Sequence, residues 1–163
     1  HAIGAGCFLM EVQEPTDYTM RVEKTTPNGL TIGPELIHQG VGEKKMLECF
    51  HYNTYTLNEA LNNWKITPKT LDYSNEFTFK TIFNKKHTNC FGLNELVLKG
   101  SYTIKGNARF YVAVIYFGEG IMICNNKEYT YNQGDEIFVS AAISGIHFIS
   151  TNESKILLCY PPN

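Results

Sequence analysis

No apolar run in the 163 residues comes near the ~20 that a membrane-spanning helix needs, so none is expected to cross a bilayer. Charge of either sign is also not in excess. There are 14 Lys and Arg against 16 Asp and Glu, a net charge of −2 and a pI near 6.2. That balance offers no electrostatic footing for nucleic acid or an anionic membrane, so neither partner is expected. The one compact basic stretch, Lys85-Lys86-His87, is short enough to be a solvated loop. Repeats, low-complexity tracts, a phosphate-cradling glycine loop and a dinucleotide fingerprint are all missing. Gly118-x-Gly120 is not followed by a helical pattern and reads as a turn. The five cysteines (Cys7, Cys49, Cys90, Cys124, Cys159) are odd in number and contain no Cys-x-x-Cys. Three sit in apolar strand patterns, which suits reduced, buried thiols in a cytoplasmic protein better than a disulfide framework. No sequence pattern pairs any of them with a base to make a nucleophile. No secretory signal is visible.

What the chain does have is β pattern. From Phe110 to Tyr160, short runs of β-branched and aromatic residues alternate with Gly, Asn and Asp. The turn signals fall at Gly118, Asn125-Asn126 and Gln133-Gly134. A spacing of roughly ten residues between them predicts antiparallel strands in a sandwich or barrel. The order of features, Phe117-Gly-Glu-Gly followed by a hairpin and Gly134-Asp-Glu-Ile-Phe-Val, resembles the cupin jelly roll. In metal-binding cupins, His-x-His and a Glu precede the first glycine. Roughly the corresponding positions here carry Lys105, Gly106, Asn107 and Tyr111, which make a poor ligand set. His147 lies slightly beyond the place of the family's later His, between Ile146 and Phe148, and is expected to be a buried, hydrogen-bonded strand residue. This barrel is expected to hold no metal.

Upstream, strand patterns begin at Glu76 and run through Phe77–Phe83, Cys90-Phe91, Leu96–Leu98 and Tyr102–Ile104. Thr56-x-x-Glu59 predicts a capping box opening a helix to about Trp64. Leu57, Ala60, Leu61 and Trp64 would form its apolar stripe, with the single Trp expected in a core. Residues 25–46 are punctuated by Pro27-Asn28-Gly29, Gly33-Pro34 and Gly40-x-Gly42 and read as linker, with His38 exposed. Leu47–Tyr52 is expected as a short strand. Cys7–Gln13 and Tyr18–Val22 form the arms of an expected hairpin turning at 14–17, where period-two alternation sets Glu11 and Gln13 on one face.

The ordered set His1-Ala-Ile-Gly, Glu11-Val-Gln, Thr16-Asp17 and Thr19-Met-Arg21-Val resembles the type I mannose-6-phosphate isomerase family. The likeness covers about the first two dozen residues, and Met20 departs from the family's usual Tyr. It implies two cupin barrels, a single zinc-type site in the first, and a sugar phosphate substrate. His1 would be the last metal ligand, Arg21 the catalytic arginine, and Glu11 a carboxylate lining the same pocket. The chemistry fits these residue types. Moving a proton between C1 and C2 of an aldose phosphate needs a stabilised enediolate, which a divalent ion and a fixed guanidinium can both favour. The family's other metal ligands stand upstream of the His-Ala-Ile-Gly element, and His1 alone cannot hold zinc.

The chain, opening on His1 rather than Met, is therefore expected to be the C-terminal part of a longer enzyme and to be inactive alone. Zinc or another divalent ion would belong to the full-length parent, with none bound by the fragment. The expected architecture is mainly β: a cupin-like jelly-roll barrel with one short helical segment, preceded by a hairpin left from a first cupin barrel. Residues 1–24 would be the tail of that upstream barrel, 25–75 a linker with the helix, and 76–163 a degenerate cupin domain. Exposed strand edges point to self-association. The alternative is a non-catalytic cupin-type domain that binds a sugar or a protein.

Overall fold

Nine strands follow Glu76, each ending where the turn residues stand, and one more precedes it. They are β1 (Lys69–Tyr73), β2 (Phe77–Phe83), β3 (Gly92–Leu98), β4 (Ser101–Lys105), β5 (Tyr111–Phe117), β6 (Gly120–Cys124), β7 (Lys127–Tyr131), β8 (Glu136–Val139), β9 (Gly145–Ile149) and β10 (Ser154–Tyr160). These come from a computed structural model that describes residues 5–7, 9–13 and 19–162. The chain divides into two compact units, His1–Trp64 and Lys65–Asn163.

All pairings in the second unit are antiparallel and form two sheets, ordered β1-β2-β3-β10-β5-β8 and β4-β9-β6-β7. Among the last eight strands, first pairs with last, second with seventh, third with sixth and fourth with fifth. That nested pairing is a jelly roll, with β1 and β2 extending one sheet. Alternation places Leu96 and Leu98, Ala113 and Ile115, and Ile156 and Leu158 on the inner face of one sheet. Phe148 and Tyr131 come from the other, and all of these are buried. The turn between β6 and β7 falls on Asn125 and Asn126, both at positive φ (50° and 60°), the primed geometry that matches the twist of a two-residue hairpin.

The first unit holds three short helices: α1 (Pro34–His38), α2 (Glu43–Glu48) and α3 (Leu57–Trp64). The expected capping box opens α3. Thr56 donates from its N–H and its hydroxyl to the Glu59 carboxylate, both at 2.8 Å, and Glu59 N–H donates back to Thr56 Oγ1 at 3.3 Å. Other expectations fail here. α1 and α2 occupy the stretch read as linker, and Leu47 and Glu48 end α2 instead of opening a strand. The described arms of the 7–22 hairpin carry no strand pairing, and its turn at 14–17 lies outside the described residues. Trp64 is 62% exposed rather than core, with its ring edge-on to Tyr55 at 4.8 Å. Leu57 and Leu61 on the same stripe are exposed too. Cys90 and Phe91 precede β3. Cys7 and Cys49 are exposed and the other three thiols only half-buried.

Candidate functional site

Arg21 is the best-anchored of the residues singled out by the family likeness. Its backbone N–H donates to Ile37 O at 2.9 Å, and its Nη1 donates to Leu36 O at 2.7 Å. The last carbonyls of a helix have no partner within it, so the end of α1 supplies two acceptors where Arg21 passes. A guanidinium held this way keeps most of its five N–H donors for an oxyanion. Glu11 is exposed, in a segment without regular structure. Among the described residues, no hydrogen bond or ion pair joins Glu11 to Arg21. His1 lies outside the described residues.

Beside Arg21 the chain walls a cavity of about 430 Å³, with Val22, Lys24, Ile32, Ile37, His38 and Met46 in its lining. Met46 is buried. Lys24 reaches Glu43 at 3.6 Å, with both side chains largely in solvent. His38, expected to be exposed, is half-buried and accepts the Gly42 N–H at Nδ1, 3.3 Å away. Alternation sends Val22 and Lys24 to the cavity, while Arg21 is drawn to α1.

In the second unit, the residues compared with cupin metal ligands differ in burial. Lys105 and Asn107 are exposed at the end of β4, while Tyr111 is buried against Tyr160 with ring centroids 5.4 Å apart. Burial holds the Tyr111 phenol well above its ordinary pKa. His147 is half-buried and shares a 2.8 Å hydrogen bond with Thr103 Oγ1, close to the expected role of a bonded strand histidine. Burial, then the Glu136 charge, pushes the Cys159 thiol up, away from thiolate. Among the described residues no three His, Cys, Asp or Glu side chains converge, so these residues alone do not compose a zinc site.

A polar groove of about 300 Å³ at the same end of the barrel was not anticipated from sequence. Asn94, Tyr102, Lys105, Asn107, Arg109 and Tyr160 line it. The signal was present: Asn94 continues the inward face of Leu96 and Leu98, and Tyr160 that of Ile156 and Leu158. Polar groups on an otherwise aliphatic inner face mark the point where a core opens.

No protein-family model matches the sequence, and no curated protein matches it. Likeness appears only at the level of structure. Ectoine synthase from P. lautus matches with a TM-score of 0.51 and 14% identity, over 63% of this chain and 75% of that one. A RmlC-like cupin from Shewanella frigidimarina matches at 0.48 and 11% identity, over 70% and 93%. The EutQ protein of Clostridium difficile matches at 0.46 and 15%, over 53% of this chain, and the match spans 62% of that protein's length. Such identities speak for the fold alone. The nested strand pairing and the fold shared with ectoine synthase agree: the chain is mainly β, and its second unit is a cupin-like jelly roll.

Proposed function

We propose that the chain is the C-terminal part of a metal-dependent aldose–ketose isomerase that interconverts mannose 6-phosphate and fructose 6-phosphate. The observation that carries this is the clamp on Arg21, the position that the family likeness assigns to catalysis. Two hydrogen bonds of 2.9 and 2.7 Å fix the residue to the end of α1 and preorganise its guanidinium. In the proposed reaction Glu11 removes the C2 proton of the aldose and returns one to C1, while the O2 hydroxyl proton passes to O1. Arg21 stabilises the enediolate oxygens between these steps, a task for which its planar fork is suited and a lysine ammonium is not. The ordered motifs from His1 to Val22 and the jelly-roll unit at Lys65–Asn163 support the same reading.

The full-length gene product, assayed with mannose 6-phosphate and added zinc, should form fructose 6-phosphate, whereas His1–Asn163 alone should not. A full-length protein that binds a sugar but gives no turnover would favour the alternative, a non-catalytic cupin-type module.

A further inference from the structure

We propose that the groove where β3, β4 and β10 meet binds a small hydroxylated anion, a compact sugar-like body carrying a phosphate or a carboxylate. This site lies within Lys65–Asn163 and does not depend on the isomerase reading. Its lining is one-sided in charge. Lys105 and Arg109 both face it, in a chain whose net charge is −2, and no carboxylate is among the lining side chains. Lys105 takes part in none of the ion pairs among the described residues. Arg109 also lines the groove and donates to the Pro161 and Pro162 carbonyls. Asp72 does not line the groove and accepts from the Tyr102 phenol, with Oδ2 3.5 Å from the phenol oxygen.

The remaining polar groups suit a ligand that bears hydroxyls as well as charge. Asn94 and Asn107 each offer a donor and an acceptor, and Tyr102 and Tyr160 offer phenols that stay protonated. Burial raises both phenols first; the Asp72 charge adds to Tyr102, while Asn94 partly offsets the rise at Tyr160. The Tyr102 ring is itself fixed between Phe77 at 4.2 Å and Phe79 at 5.5 Å, a rigid wall for the carbon face of a ligand. The volume of about 300 Å³ lies at the small end of small-molecule sites, which favours a compact ligand over a nucleotide.

Amide-resolved NMR titration of the chain with glucose 6-phosphate, gluconate and neutral glucose tests this. At least one of the two anions should shift the amides of Asn94, Tyr102 and Tyr160, and neutral glucose should bind about tenfold or more weakly. Glucose 6-phosphate binding more tightly assigns a phosphate, and gluconate binding more tightly a carboxylate. Lys105→Met and Lys105→Glu should each weaken the better anion by about tenfold or more, while Lys99→Glu, outside the groove, should leave it unchanged. Lys105 is exposed, so both variants should keep the wild-type spectrum elsewhere. Absence of shifts with both anions, equal binding of neutral glucose, or unaltered affinity in the Lys105 variants would overturn the proposal.

Discussion

At the scale of single residues, two positions carry consequences that backbone geometry makes testable. Gly118 sits at φ +81°, and a Cβ there would meet Glu153 O at 2.4 Å and Ser154 Cα at 2.8 Å. Both contacts are backbone and cannot rotate away. Gly118→Ala should therefore cost about 2–3 kcal/mol, read as a lowered midpoint in urea unfolding with an unchanged slope. Glu59 tells the opposite story, a charge that helps. Hydrogen bonds from the Thr56 backbone and then the Thr56 hydroxyl hold its carboxyl below the ordinary 4.5. A depressed folded pKa contributes stability above the ordinary value and loses it as the pH falls through the folded one. The Thr56 amide resonance should thus move as pH drops below about 4.5, and Glu59→Gln should abolish that movement. The sequence announced Glu59 through its spacing from Thr56. Nothing in it announced the anchor of Arg21, because the acceptors are carbonyls of Leu36 and Ile37, far along the chain.

At the scale of elements, strands were legible and isolated helical turns were not. Alternation is a period-two signal, and β5 and β10 carry it because one face of each is buried, whereas on β3 the buried Leu93 falls out of step with Leu96 and Leu98. β1 carries none, since all five of its residues are exposed and its ladder to β2 slips between Thr70 and Asp72. α1 and α2 span five and six residues, too few to show a 3.6-residue period. The contrast between strands is measurable. Ile156 on β10 is fully buried with strands paired on both sides, so Ile156→Ala should cost about 2–5 kcal/mol. Leu71 on β1 is 51% exposed, and Leu71→Ala should cost under about 1 kcal/mol by the same unfolding measurement. Comparable losses at the two positions would contradict the placement of the core.

At the scale of the whole molecule, the barrel was readable as a series of antiparallel strands, though not to its strand order, because turn residues and inward apolar faces agree over nearly ninety residues of chain from Glu76 onward. The first unit was less so, since its short helices and exposed apolar side chains leave few periodic marks. The groove at Asn94, Lys105 and Tyr160 joins the consecutive strands β3 and β4 to the distant β10, which single-sequence patterning does not bring together. The isomerase proposal joins residues of the first unit to chemistry and stands or falls on Arg21. The decisive measurement is the rate of fructose 6-phosphate formation by the full-length protein as wild type, Arg21→Lys and Arg21→Ala, each with its unfolding midpoint recorded. Loss of a transition-state contact of about 3–4 kcal/mol predicts rates lower by about a hundredfold or more in Arg21→Ala. Arg21→Lys should be badly impaired as well, because it keeps the charge but loses the fork. Folded Arg21→Lys and Arg21→Ala proteins that turn over mannose 6-phosphate at near wild-type rates would contradict the account.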